Sequence, residues 1–291
     1  MGISDLGELL LLAVVWGGSF LLMRIAAPEL GPIWLIEIRV LLAGLALLAL
    51  LIRLNLSGEL RKYLVPLSIL GCINSAIPFV LFAYAALYLP AGFAAILNAV
   101  APLFGMIIAW LWLQERFTLS RTVGFALGFA GVIVLVGLTN LPITPSFVLS
   151  VGAGLLASLM YAFAATYIQQ KLSGVPPLVI ATGSQLSAAV ILLPFVPFTM
   201  PTALPSTQVV LVVVALALFS TALAYILYFR LIKSIGVTKA LTVTYLIPLF
   251  AMIWGKIILQ EAITQSMLLG CGLILLGTAI ANELFNQKSV Y

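Results

Sequence analysis

The sequence predicts an all-α integral membrane protein with ten transmembrane helices, arranged as two inverted five-helix repeats over residues 1–145 and 146–291. Three observations lead to this prediction. The 291-residue chain is 64% hydrophobic and only 7% charged, whereas charged residues make up about a quarter of a typical soluble domain. Its apolar residues form ten runs of membrane-spanning length. One six-residue motif occurs twice, 146 positions apart.

The ten spans follow from where proline, glycine and charged residues interrupt the apolar runs, since a spanning helix needs about 20 apolar residues. The runs are continuous and lack the alternation of a barrel strand, so we expect helices. The first run has acids, Asp5 and Glu8, where a signal peptide would be basic, and we expect it to remain as the first span. The predicted spans cover residues 6–27, 32–53, 63–86, 91–113, 119–138, 147–169, 177–197, 207–229, 237–259 and 265–284.

Lysine and arginine residues predict the orientation, because they accumulate at the cytoplasmic ends of spans. With the N-terminus inside, ten of the 13 basic residues fall on the inner side: Arg53, Arg61, Lys62, Arg116, Arg121, Lys171, Arg230, Lys233, Lys239 and Lys288. We therefore expect a multi-pass protein of the bacterial inner membrane with both termini in the cytoplasm. The net charge of +5 is scattered along the chain, so no nucleic-acid partner is expected.

The repeated motif reads Pro-Leu-Phe-Gly-Met-Ile over residues 102–107 and Pro-Leu-Phe-Ala-Met-Ile over residues 248–253. The same offset places a Gln-Glu pair at 114–115 and again at 260–261, so the match is too long for chance. Because each copy contains five predicted spans, an odd number, equivalent turns should face opposite sides of the membrane. Such inverted repeats are typical of secondary transporters.

A family resemblance adds to this pattern. The Trp-Gly-Gly-Ser-Phe motif at residues 16–20, an arginine in the second span, and Ala-Pro and Ile-Pro pairs before the two Gln-Glu turns resemble the drug/metabolite transporter superfamily, in particular its EamA branch. The resemblance implies a central cavity between spans one to four and six to nine, with spans five and ten at the periphery. It also implies alternating access and export of amino acids or other small metabolites, the most similar functional type being an aromatic amino-acid exporter.

Intramembrane polar and aromatic residues are the candidates for solute binding, because such side chains are costly in lipid. Arg39 and Glu37 lie two positions apart and so on different helix faces; Arg39 is the better candidate to face the cavity, and Glu37 is expected to pair with Arg24. A surface position or a helix–helix contact for Arg39 stays an alternative. The predicted solute-binding residues are Trp16, Ser19, Arg39, Asn74, Ser75, Phe79, Tyr84, Asn98, Tyr161, Gln185, Thr221, Tyr225, Thr244 and Tyr245.

Prolines and glycines within spans predict where helices bend and where they pack. Pro78, Pro102 and Pro248 are predicted gating hinges, since each removes a backbone hydrogen bond. Small-residue faces in the fifth and tenth spans predict close helix packing, either within the bundle or between protomers. The glycines concerned are Gly124, Gly128, Gly131, Gly270, Gly272 and Gly277.

Residue types that the sequence lacks argue against an enzyme. It has no histidine and no mid-span aspartate, so an intramembrane enzyme is not expected. A multidrug or nucleobase carrier, or a membrane assembly protein without transport, stays an alternative. Since Glu37 is the only intramembrane acid and is expected to pair with Arg24, downhill export or exchange is favoured over proton symport. The expected partners are a small organic solute and lipid, with no metal or cofactor; a monomer is expected, with a dimer as the alternative.

Overall fold

The computed structural model describes residues 2–112, 114 and 118–281, and all regular elements within them are helical. Seven of the described helices are long and apolar enough to cross a membrane, and α10 and α11, of 17 residues each, are shorter apolar helices. The predicted all-α membrane protein is confirmed, whereas the count of ten spans stays a prediction. In chain order the helices are α1 Ile3–Arg53, α2 Ser57–Lys62, α3 Leu64–Tyr88, α4 Ala91–Trp112, α5 Leu119–Gly137, α6 Pro145–Lys171, α7 Pro177–Thr199, α8 Thr207–Ile235, α9 Val237–Ala240, α10 Val243–Leu259 and α11 Gln265–Ala281.

Helix α1 reverses direction at Gly31. Its 51 residues would extend about 76 Å if straight, far more than the roughly 30 Å of a bilayer core. Gly31 has φ 71° and ψ 159°, a conformation that glycine tolerates, and Pro28 and Pro32 flank it. Arg39 Nη1 lies 3.5 Å from Met23 Sδ, which is possible only if the two arms fold back on each other. The arms correspond to the first two predicted spans.

Hydrogen bonds and ion pairs sort the helix termini into two ends of the bundle. At the N-terminal end, Glu8 forms an ion pair of 3.1 Å with Arg230, and Ser234 donates to Asp5. At the opposite end, called the Gly31 end here, Glu29 accepts from the backbone N–H of Ser206 at 2.8 Å. Helix α8 therefore begins at the Gly31 end and ends at the N-terminal end, as expected for a helix that crosses the bundle.

Helices α5 and α11 pack backbone to backbone through their glycines. A Cβ atom on Gly131 would lie 2.8 Å from the carbonyl oxygen of Gly270, and one on Gly124 would overlap the carbonyl of Gly277. Such separations are too short for any side chain, so glycine is needed at these contacts. Of the two packing modes that the sequence leaves open, this chain shows contact within one bundle.

Two π-helical turns interrupt the regular helices, at Gly71–Ala76 in α3 and Leu218–Leu223 in α8. They lie within one residue of the 146-residue offset. Pro78 follows the first turn but Ala224 stands at the equivalent position after the second, so proline does not account for both. Wide turns of this kind occur frequently at functional sites.

The local geometry of the Gln-Glu turns also recurs at the offset. Gln114 and Gln260 both adopt the left-handed conformation, with φ 57° and 56°. Each side-chain amide donates over 3.1 Å to the carbonyl three residues earlier. The division into repeats at 1–145 and 146–291 stays a prediction, which these matches support.

Candidate functional site

A cavity of about 830 Å³ is lined by residues of α1, α3, α4, α6, α7, α8 and α10, with one residue each from α5 and α11, and this volume is suited to a small organic ligand. Its lining extends from the buried Arg39 to the exposed Gln169 and Leu241 near the N-terminal end of the bundle. Many predicted binding residues meet here, although their role in binding stays a prediction. Those that line the cavity are Trp16, Ser19, Arg39, Asn74, Phe79, Asn98, Tyr161, Thr221, Tyr225, Thr244 and Tyr245, together with the predicted hinge Pro102.

Arg39 is the buried cation of this cavity, with only 5% of its surface exposed. Its Nε donates to Thr221 Oγ1 over 3.0 Å, and its Cζ lies 4.0 Å from the ring centroid of Phe79, within the range of a cation–π contact. Thr221 Oγ1 in turn donates to the Leu216 carbonyl. Because the hydroxyl has one proton, this bond leaves its lone pairs to face Arg39.

Two groups of aromatic side chains line the same cavity as Arg39. In the first, Tyr161 stacks on Phe82 at 6.0 Å between ring centroids and meets Phe79 edge-on at 6.5 Å. In the second, Trp16 packs against Tyr228 at 5.2 Å. All five rings line the cavity, and Phe79 of the first group contacts Arg39 directly.

Ser75 and Gln185, predicted as solute-binding residues, lie outside the cavity lining that the structure describes. Gln185 Nε2 donates to Ser75 Oγ over 3.0 Å, and both residues are fully buried. Gln185 Oε1 has no hydrogen-bond partner among the described residues. The sequence places these polar residues at mid-depth, but it does not specify whether they face the cavity or another helix.

Three further predicted residues also lie outside the described lining. The Tyr84 ring packs edge-on against the exposed Tyr88 at 5.5 Å. Pro78 lies inside α3, in the first turn after the π turn. Pro248 lies inside α10, as the hinge prediction requires, yet does not contact the cavity.

The predicted pair of Arg24 with Glu37 is wrong. Arg24 Nε instead lies 3.4 Å from Glu261 Oε1, and its Nη1 donates to the Ala86 carbonyl at 2.7 Å. Glu261 Oε2 also accepts from the backbone N–H of Ala91 at 2.9 Å. These contacts join α1, α3, α4 and the loop before α11 at the Gly31 end.

Glu37 is only 6% exposed, and its Oε2 has no partner among the described residues. The similar depths of Arg24 and Glu37 underlie the mistaken prediction. Depth does not fix the direction in which a side chain points around its helix, so it could not establish the pair.

Several lining residues were missed by the sequence reasoning, which took Arg121 only as an orientation signal. Helical spacing would have found most of them, because i, i+3 and i+4 positions share one face. Phe20 and Met23 follow Trp16 at this spacing, and Phe82 follows Phe79 in the same way. The main additions are Phe20, Met23, Phe82, Arg121, Ser220 and Phe229.

Comparison with known proteins gives a consistent result. Residues 6–137 and 148–282 each match the model of the EamA-like transporter family. The chain is 28% identical to the uncharacterized inner membrane transporter YedA of Escherichia coli K12, covering 98% of this chain and 93% of YedA. It is 26% identical to an uncharacterized transporter of Archaeoglobus fulgidus, covering 94% and 96%.

Two further likenesses are informative. A probable terminal-alkyne amino-acid exporter of Streptantibioticus cattleyicolor is 25% identical over 94% of this chain and 92% of its own. A solved crystal structure with 18% identity superposes with a TM-score of 0.68 over 98% of each chain, which shows a shared fold.

Proposed function

This chain belongs to the EamA-like transporter family, as the resemblance predicts, and we propose that it exports small metabolites, most of all amino acids including aromatic ones. The cavity is the observation that carries this proposal. Its aromatic walls suit a ring, and its polar groups are few, a combination that fixes the orientation of a small solute. The names of two relatives, an inner membrane transporter and a probable amino-acid exporter, support the location and the solute class.

Alternating access is the proposed mechanism. The cavity reaches toward the N-terminal end, whereas Arg24 and Glu261 join four segments at the Gly31 end. If the N-terminus is cytoplasmic, as the basic residues indicate, this conformation is open inward and closed outward. Export then requires the Gly31 end to open while the N-terminal end closes.

Symmetric contacts support inverted repeats that exchange roles in this cycle. Arg39 donates to Thr221 over 3.0 Å, and Gln185 donates to Ser75 over the same distance. Each donor and each acceptor is related to its counterpart by the 146-residue offset, and each bond joins one proposed repeat to the other. Equivalent contacts in two copies of opposite orientation are what a rocking mechanism needs.

Arg24 pairs with Glu261 and does not neutralise Glu37, so the expected ion pair no longer argues against proton coupling through Glu37. Glu37 is absent from the described cavity lining, so a proton on it would not meet the solute directly. We therefore retain downhill export or exchange. Glu37→Gln should leave counterflow unchanged, and loss of pH-driven accumulation that the parent protein shows would refute this part of the proposal.

Counterflow of labelled phenylalanine in proteoliposomes tests the main proposal. We expect saturable flux that tyrosine and tryptophan inhibit. Tyr161→Leu should reduce it about tenfold or more through lost cavity contacts, while Phe163→Leu, a change on the exposed face of the same helix, should not. A folded protein that moves no amino acid would refute the proposal. Flux of a cationic dye or uracil would favour the multidrug or nucleobase alternative, and no flux at all would favour the assembly protein.

A further inference from the structure

We propose that the cavity selects solutes that carry a carboxylate, and that the Arg39 guanidinium binds that carboxylate while the aromatic groups hold an adjoining ring. This inference rests on the proposed transport function and specifies its solute chemistry. It predicts that aromatic carboxylates and zwitterions enter, whereas aromatic amines without a carboxylate do not.

The charges of the cavity favour an anionic solute. The described lining residues include two arginines, Arg39 and Arg121, and neither aspartate nor glutamate. None of the ion pairs among the described residues involves Arg39. A buried cation without a counter-ion costs several kcal/mol in a medium of low dielectric constant. A solute anion would supply the missing charge, and a solute cation would be repelled.

Arg39 keeps hydrogen-bond donors that a carboxylate could use. Its Nε is engaged by Thr221, and its Nη1 meets only the thioether of Met23, at 3.5 Å, which is a weak acceptor. Its Nη2 forms no hydrogen bond with a described residue. Both Nη2 hydrogens and one Nη1 hydrogen therefore remain for a ligand, and a guanidinium with such donors fits the two oxygens of a carboxylate.

The aromatic rings nearest Arg39 favour a solute with a ring beside its carboxylate. Phe79 covers one face of the guanidinium at 4.0 Å, and Tyr161 and Phe82 continue that wall. A carboxylate at Arg39 would therefore have aromatic surface beside it for a ring one or two bonds away. An ammonium group would meet only neutral oxygens, such as those of Asn74 and Asn98.

The repeat supplies a suitable variant. Gln185, at the position equivalent to Arg39, already donates to a hydroxyl in the other π turn over the same 3.0 Å. Arg39→Gln thus introduces a side chain that the fold accommodates in the same setting. It removes the charge and leaves a donor for Thr221.

Binding of three compounds with one ring tests the inference: 3-phenylpropanoate, phenylalanine and phenethylamine, measured on the purified full chain by thermal stabilisation and tryptophan fluorescence. We expect the two carboxylates to bind at least about tenfold more tightly than the amine, the effect of a charge-assisted hydrogen bond. Arg39→Gln should reduce this preference to within about twofold. Arg230→Gln, which removes an exposed arginine outside the described cavity lining, should leave it unchanged.

Three results would overturn the inference: equal affinities, a preference for the amine, or a preference that survives Arg39→Gln in folded protein. If phenylalanine is still transported in those cases, the proposed function stands. If Arg39→Gln does not fold, Arg39→Met decides, because methionine removes the charge and keeps a flexible unbranched side chain; we expect the preference to fall to within about twofold, and an unchanged one overturns the inference. Binding of none of the compounds also overturns it, and phenylalanine counterflow then judges the proposed function separately.

Discussion

Arg39 Nε donates to the Thr221 hydroxyl over 3.0 Å, and this bond has a twin at the repeat offset, from Gln185 to Ser75. The two bonds match in length, in donor and acceptor positions and in the π turns that hold the acceptors. They differ in surroundings, since only Arg39 and Thr221 line the cavity. The fold therefore uses one arrangement twice, once beside the cavity and once as a buried contact.

Ser75→Ala tests the structural role of the second bond. It would leave the buried Gln185 amide without its partner, so the free energy of unfolding should fall by about 1–3 kcal/mol, as measured by denaturant titration. Phenylalanine affinity should change by less than about twofold. Ser68→Ala, at an exposed site of the same helix, is the control and should cost less than about 0.5 kcal/mol. A large loss of affinity with unchanged stability would instead identify Ser75 as a binding residue.

Glu261→Gln tests whether the contact with Arg24 keeps the Gly31 end closed. The change retains shape but removes the charge, and partial exposure of the pair limits the effect to about 1 kcal/mol. The reporter is a cysteine placed at Met23 in a chain without its native cysteines. In the Glu261→Gln variant, this cysteine should react about fivefold faster with an impermeant thiol reagent added outside than it does in the parent protein. Glu59→Gln, which removes an exposed acid paired within α2, is the control and should not alter the rate. Equal rates in the Glu261 variant and its parent would argue against a closing role.

Gly124→Ala tests the contact between α5 and α11. The new methyl group would overlap the Gly277 carbonyl, and the helices would have to separate at a cost of about 1–3 kcal/mol. Gly272→Ala makes the same change in α11, where no atom lies within 4 Å of the added carbon, and should be neutral or slightly stabilising. Thermal unfolding in detergent measures both. Similar effects of the two variants would contradict the close contact.

Pro248→Ala tests the hinge prediction in α10. Alanine restores an N–H inside the helix, which should preserve or increase stability by up to about 3 kcal/mol, while phenylalanine flux should fall several-fold because the helix bends less readily. The control is Pro145→Ala at the first position of α6, where proline lacks no hydrogen bond. Flux equal to that of the parent protein would reject a gating role for Pro248.

The sequence predicts those features of this protein that depend on composition and spacing. Apolar runs locate most helices to within a few residues. Arg39 and Gln185, which the predicted repeat pairs, make hydrogen bonds of the same length to hydroxyls 146 positions apart. Rotation about a helix axis is harder to predict, because it depends on neighbours distant in the chain. Arg24 contacts Glu261, 237 positions away, and nothing near Arg24 in the sequence predicts that partner.

The sequence did not predict the π turns, because no residue type marks both of them. Pro78 marks the helix after the first turn, but the second turn has no proline after it. The positions of Ser75 and Thr221 within these turns depend on the extra residue in each turn. Polarity alone therefore could not distinguish the cavity residue Thr221 from the buried Ser75.

The crossed hydrogen bonds have a consequence for a chain of only one repeat. Alone, residues 1–145 would leave Arg39 and Ser75 without the groups that satisfy them here, at a cost of about 1–3 kcal/mol for each unmet buried group. Each half of the chain therefore supplies the partner of a buried polar side chain in the other half. A satisfied polar core needs both halves to be present and packed together.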